Sequence, residues 1–228
     1  MTTSSSTISE KSERFQNSYL LQAWLVIGLA LFFGIALTGI QIALSSRIET
    51  NKKKETMEKV PEIILGANHA QNQAATDKSL KIEQRSITVD KNNRKKVYTV
   101  FETRYPDGKP AGWVAKASGQ GYADKIELLF GVDPGATKLT GLFILEQKET
   151  PGLGNKITDQ HWRDQFILKP TGRMLKVVKG GAKGPYEIDA ITGATISSKS
   201  VTTIINKTLA DIQKQLASLA ANPKEDNQ

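Results

Sequence analysis

Asp189-Ala190-Ile191-Thr192-Gly193-Ala194-Thr195 is followed at once by Val201, Ile204, Ile205, Leu209, Ile212, Leu216 and Leu219, apolar residues recurring at intervals of three and four. That period predicts an amphipathic helix from Ser197 onward, with Thr195 at or just before its N-terminus. Glycine permits a tight turn, and the amides that open a helix lack intrahelical acceptors, so the junction can accommodate an anion such as a phosphate. The hydroxyl of Thr195 adds a covalent acceptor at the same place. On composition alone an ordinary helix start is the simpler reading, because Ser, Thr and Gly crowd such positions.

Working outward, the preceding chain alternates in the manner of strands. Ile87 and Val89, then Val97, Tyr98, Val100 and Phe101, are β-prone from about Ser86. Pro106-Asp107-Gly108 is a turn, and Gly112-Trp113-Val114-Ala115 begins another strand. Ile126 to Val132 and Leu139 to Glu146 flank Asp133-Pro134-Gly135, which predicts an antiparallel hairpin. Its second strand runs into Glu149-Thr150-Pro151-Gly152-Leu153-Gly154, a loop at a strand end, where functional groups commonly sit on a rigid scaffold. His161 to Phe166 reads as a short helix, Leu175 to Val178 as a strand, and Gly180-Gly181-Ala182-Lys183-Gly184-Pro185 as a mobile loop. The class is α+β, an antiparallel sheet with helices packed against it.

Leu20 to Leu44 carries no charged residue. Its 25 positions, at about 1.5 Å of rise each, reach roughly 37 Å and exceed a hydrocarbon core of about 30 Å. A single transmembrane helix is predicted. A cleaved signal peptide would have an apolar region of only about 7 to 15 residues after a basic stretch. Gly28, Gly34, Ala36 and Gly39 form a small-residue set that would let a neighbouring helix approach. The expected organisation is a cytoplasmic tail over 1–19, the membrane helix over 20–44 and a polar juxtamembrane stalk over 45–85. A folded domain over 86–220 and a disordered tail over 221–228 follow.

The net charge of +8 lies outside the first 44 residues, since Lys11 and Arg14 balance Glu10 and Glu13 there. A basic domain beside a membrane is drawn to anionic headgroups. No helix-turn-helix, zinc or aromatic RNA-binding signature accompanies the charge, so nucleic acid is not an expected partner. The chain has no cysteine, and His69 and His161 form no recognisable ligand set, so no metal site and no iron–sulfur or haem ligation of the usual kinds is assigned. No Gly-x-Gly-x-x-Gly follows a strand, so the chain is not expected to bind NADH itself.

Asp-x-x-Ser/Thr-Gly-Ala-Thr resembles the flavin-attachment signature of the FMN-binding domain shared by the G protein of Rnf electron-transport complexes (RnfG) and the C protein of the sodium-translocating NADH:quinone reductase (NqrC). Glu149 to Gly154 resembles the Glu-Thr-Pro-Gly-Leu-Gly loop of the same families, in the same order along the chain. The likeness covers about residues 86 to 218, and the run through Asn155-Lys156-Ile157 and the compact length look more like RnfG. It implies a flavoprotein component of an ion-translocating complex that exchanges electrons between ferredoxin and NAD⁺. The chain would relay electrons between other membrane and iron–sulfur subunits without catalysing either half-reaction alone, so no catalytic residue is assigned.

The resemblance further implies FMN held through a phosphoester at Thr195, placed there by a separate flavin transferase that uses FAD and Mg²⁺ and releases AMP. Thr150 would offer the flavin a polar contact, Leu153 apolar packing, and Thr192 and Gly193 the shape of the phosphate turn. Asp189 has two readings, a recognition element for the transferase or a hydrogen-bond acceptor within its turn. Lys199 and Lys207 read as solvated surface. The family places the flavin domain on the outer face of the bacterial inner membrane. Against it, Arg47, Lys52, Lys53, Lys54 and Lys59 follow the helix, and a positive-inside count puts that flank in the cytoplasm. Two alternatives stand: the NqrC component of the quinone reductase, and an anchored non-redox module with Thr195 unmodified.

Overall fold

The computed structural model describes residues 6–66, 80–91 and 93–221. It divides into two units, Met1–Lys52 and Lys53–Gln228. Helix α1 (Ser6–Leu65) contributes to both. In the first unit its apolar stretch is exposed and is long and apolar enough to cross a membrane. Within that stretch the Thr38 hydroxyl donates to the Gly34 carbonyl at 2.8 Å, so this polar group is satisfied inside its own helix.

In the second unit five strands form an antiparallel meander: β1 (Lys81–Lys91), β2 (Arg94–Arg104), β3 (Pro110–Gln120), β4 (Lys125–Val132) and β5 (Leu139–Glu146). The hairpin expected around Asp133-Pro134-Gly135 is present as β4 and β5, with Leu129 opposite Phe143. The first strand begins at Lys81, ahead of the expected Ser86. After the sheet come a 3-10 turn (Gly154–Thr158), α2 (Gln160–Arg163), a second 3-10 turn (Asp164–Phe166), β6 (Lys176–Val178), β7 (Glu187–Asp189) and α3 (Thr195–Ala221). The class is α+β, as the sequence pattern indicates.

Alternation along the strands assigns each face its cover. Trp113, Ala115 and Ala117 of β3 join Ile126, Leu128 and Phe130 of β4 under Val201, Ile205, Ile212 and Leu216 of α3. The intervening Val114 and Leu129, with Phe101, face the other way and pack with Val60, Ile63 and Ile64 from the last turns of α1. The segment expected as a polar stalk is therefore helical through Leu65, and its short apolar patch is core. Its remainder, residues 67–79 with His69, lies outside the described residues, as do 1–5 and the tail beyond Ala221.

Glycines make room for that packing. A Cβ at Gly141 would lie 2.8 Å from the Ile63 carbonyl oxygen, and one at Gly131 2.7 Å from Ile63 Cγ2. Two further departures concern the segment before α3. β6 and β7 pair in parallel, not antiparallel, across a connection much shorter than the usual crossover. Gly180 and Gly181, at φ +85° and +98°, allow it. The loop expected to be mobile is pinned: the amides of Lys183 and Gly184 each donate to Glu187 Oε2 at 2.9 Å, and the Gly181 amide donates to Asp189 Oδ1 at 3.2 Å.

α3 is fastened to the sheet edge by Asp211, which accepts from Lys91 Nζ at 2.6 Å and from the Tyr98 hydroxyl. Burial opposes ionisation of Asp211, but the bonds from Lys91 and Tyr98 and the charges of Lys91 and Lys96 prevail, holding its carboxyl below the usual range. Burial first, then the bond to Asp211 and its charge, push the Tyr98 hydroxyl upward.

Gly141→Ala is expected to cost about 1–3 kcal/mol by overpacking and to lower Tm by several degrees. Gly135→Ala, whose nearest neighbour would be Thr137 Cγ2 at 3.4 Å, leaves Tm unchanged in the same melt. The depressed Asp211 carboxyl contributes stability that is complete above its unfolded value of about 3.9 and is lost as pH falls through the lower folded value. The urea midpoint of wild type should therefore exceed that of Asp211→Asn by a constant margin from about pH 5 to 8, shrinking below about pH 4.

Candidate functional site

Two tight turns of the same construction meet beside the start of α3. In Thr150-Pro151-Gly152-Leu153 the Leu153 amide donates to the Thr150 carbonyl at 3.2 Å, with Gly152 at φ +75°. In Ile191-Thr192-Gly193-Ala194 the Ala194 amide donates to the Ile191 carbonyl at 2.9 Å, with Gly193 at φ +80°. A positive φ at the third residue is the signature of a type II turn, with proline suited to the second position of the first turn. The turns touch: a Cβ on Gly193 would stand 2.9 Å from Leu153 Cδ2, so this glycine serves both conformation and space.

Glu149 locks the arrangement from behind. The residue is 4 % exposed; Oε2 accepts from the Ser197 hydroxyl at 2.5 Å and Oε1 from the Ala123 amide at 3.1 Å. One carboxylate thus joins the end of β5, the first turn of α3 and the turn between β3 and β4. Ser198, fully buried, accepts from the Ile191 amide at 3.1 Å and donates to the Ala194 carbonyl at 3.0 Å, tying the second turn to the helix it precedes.

Asp189 is held on three sides. Its carbonyl accepts from Trp162 Nε1 at 2.9 Å, its amide donates to Gln165 Oε1 at 2.7 Å, and its carboxylate receives the Gly181 amide. The carboxylate therefore fastens the neighbouring glycine loop, not the turn that Asp189 precedes.

The open side offers a different set of groups. α3 starts at Thr195, and the first bond back into the turn comes from the Ser198 amide to Ala194, so the amides of Thr195, Ile196 and Ser197 have no intrahelical acceptor. The hydroxyls of Thr150, Thr192 and Thr195 engage no protein partner among the described residues. Asn155 Oδ1, next to the first turn, is buried without a partner there. Leu153 and Ile196 stay 45 % and 55 % exposed, and Tyr122, on the turn that Glu149 holds, is exposed too. Free amides at the positive end of a helix suit a phosphate, and exposed apolar side chains suit a planar ring. These residues fit an FMN. No cluster of His, Cys, Asp or Glu able to hold a metal exists among the described residues.

Residues 121–210 match the FMN-binding domain model. A stretch of 105 residues is 41 % identical to the G protein of the Na⁺-translocating ferredoxin:NAD⁺ oxidoreductase complex of Acetobacterium woodii, covering 45 % of this chain and 50 % of the relative. The match to the G protein of the ion-translocating oxidoreductase complex of Pasteurella multocida is 31 % over 194 residues, 78 % of this chain and 86 % of the relative. The chain belongs to this RnfG family. It spans about half the length of the Acetobacterium relative and most of the Pasteurella one. The crystal structure of Shewanella oneidensis NqrC shares the fold, with a TM-score of 0.60 at 22 % identity, covering 76 % of this chain and all of that one.

The family's two motifs, some forty residues apart in sequence, are thus one place in the fold. Thr150, Leu153, Thr192, Gly193 and Thr195 all belong to the touching turns and the helix start. Lys199 and Lys207 are exposed. Sequence reasoning did not single out Glu149, Ser197, Ser198 or Asn155. A charged residue between a strand and a turn is ordinarily solvent-facing, so only the position of Glu149 at a strand end next to Thr-Pro-Gly hinted at more.

Glu149→Ala leaves the Ser197 hydroxyl and the Ala123 amide buried without partners. It is expected to cost about 2–4 kcal/mol, on the usual penalty for each stranded group. Glu149→Gln keeps one carbonyl acceptor and an amide that can donate to Ser197, and should cost less than half as much in equilibrium urea unfolding.

Proposed function

We propose that this chain is a membrane-anchored flavoprotein component of an Rnf-type ion-translocating ferredoxin:NAD⁺ oxidoreductase, relaying electrons through FMN linked by a phosphoester to Thr195. The observation that carries the reading is the meeting of the two turns at three free helix amides and an unpartnered Thr195 hydroxyl. The family match supports FMN, and the relatives' names support the complex. Partners would be the other membrane and iron–sulfur subunits. The apolar part of α1 would anchor the chain in the bacterial inner membrane with the flavin domain on the outer face, despite the basic flank after the helix.

Bound FMN would supply one-electron redox chemistry; the chain's own residues bind and orient it. The amides of Thr195, Ile196 and Ser197 receive the phosphate, assisted by the helix dipole. Thr150 gives the ring a polar contact. Leu153 and Ile196 shield part of the ring from water. Asn155 Oδ1 offers an acceptor to a ligand N–H. No Asp, Glu or His hydrogen-bonds Thr195 among the described residues, and a threonine hydroxyl is a weak nucleophile without a base. Attachment therefore needs a flavin transferase: Thr195 Oγ bonds to the FMN phosphorus of FAD, the pyrophosphate bond breaks, and AMP leaves as the hydroxyl proton is released.

Coexpressed with such a transferase, the wild-type chain should gain the mass of one FMN less one water and fluoresce in a denaturing gel. Thr195→Ala should lose both signals, while Thr195→Ser retains them. A colourless wild type under these conditions would favour an anchored, non-redox module instead.

A further inference from the structure

The segment between Phe166 and Glu187 carries a face that the flavin reading leaves unused. Leu168 stands at φ +62° and is 70 % exposed. Its backbone is pinned to the start of β5: its amide donates to the Leu139 carbonyl at 2.8 Å, and the Leu139 amide donates to the Lys169 carbonyl at 2.9 Å. A left-handed backbone disfavours leucine relative to glycine or asparagine, and an exposed leucine recovers nothing by burial. Neither local conformation nor packing accounts for a large apolar side chain there. Met174 is 68 % exposed, and Ile167 is exposed beside them.

The surroundings are cationic. Lys169, Arg173, Lys176, Lys179 and Lys183 fall between residues 167 and 186, and no Asp or Glu does. The fold draws the segment together, with Lys169 Nζ 3.4 Å from the Gly184 carbonyl, the Arg173 guanidinium 5.9 Å from the Tyr186 ring centre, and the Lys176 amide bonded to the Tyr186 carbonyl at 2.8 Å. The acid that follows them, Glu187, is already engaged by the amides of Lys183 and Gly184.

We infer that this face docks on the surface of an anionic lipid bilayer, Leu168 and Met174 entering the headgroup region while the surrounding lysines and Arg173 meet lipid phosphates. Apolar side chains standing singly among long cationic ones suit an interface whose depth is apolar and whose rim is anionic. A protein partner would more commonly be met by a continuous apolar centre with few lysines. Only residues 45–52 separate the apolar segment ending at Leu44 from the unit that carries this face. The inference rests on the anchoring part of the proposed function and is independent of flavin.

The absence of cysteine permits a clean test. Leu168→Cys, Met174→Cys and, as a solvent-facing reference on β2, Val97→Cys are labelled with an environment-sensitive fluorophore. The full chain is then placed in nanodiscs of phosphatidylcholine with or without phosphatidylglycerol. Brominated lipid should quench the labels at 168 and 174 but not at 97. The quenching should require the anionic lipid and be lost in high salt or with Arg173→Glu and Lys176→Glu combined. Leu168→Gly should preserve or raise Tm while weakening quenching at 174. Equal quenching at 168 and 97, or shielding of 168 only when the other subunits of the complex are added, overturns the lipid assignment. A chain that alkali strips from vesicles overturns the anchor, and this inference with it.

Discussion

The Glu149 carboxylate accepts from an amide 26 residues before it in sequence and from a hydroxyl 48 residues after it, and the positions of both motifs follow from those two bonds. A buried carboxylate is tolerated only where its oxygens are satisfied, so the β3–β4 turn and the first turn of α3 must both close on it. It also lies at the positive end of α3, where a negative charge is favoured. Because it takes the Ser197 hydroxyl and leaves the helix amides alone, the carboxylate organises the back of the site while the front stays open to an anion. Exposed pairs such as Lys125 with Glu127 have no comparable reach, being local and screened by water.

What could be read from the sequence and what could not divide along the range of the determining contact. The hairpin around Asp133-Pro134-Gly135 and helix α3 were legible because their periods of two and about 3.6 report one buried face each. Ile63 and Ile64 read as a patch within a polar stalk, since the surface they cover, Val114 and Leu129, is formed by strands far along the chain. The glycine loop at 180–185 read as mobile because composition records freedom of the backbone and not the carboxylates of Glu187 and Asp189 that remove it. Asp189 shows the same limit. Its type was right for a turn, but its acceptor serves a neighbouring segment whose parallel pairing no local pattern announces.

The site itself was legible to the extent that its residues are turn-formers. Thr150, Gly152, Thr192, Gly193 and Thr195 carry their conformational reasons in their types, and the two type II turns follow from them. Their contact does not. That Leu153 packs on Gly193 depends on how β5 delivers one turn and α3 the other, and so on Glu149.

The openness of the site bears on why a covalent bond would be useful here. Most cofactor sites bury the greater part of their ligand, which supplies both affinity and orientation. Here Leu153 and Ile196 remain about half exposed, and the turns form a ledge with no enclosing wall among the described residues. Such a site would hold FMN weakly by contact alone, yet it would leave a ring edge accessible to a donor or acceptor on another subunit. A phosphoester at Thr195 separates the two requirements. Retention passes to a bond at the phosphate, on the rigid start of α3, and does not touch the ring. The groups near the ring, Thr150, Leu153 and Asn155, are then free to set its potential without also having to keep it in place, the division of labour expected when the cofactor carries the chemistry and the protein supplies orientation.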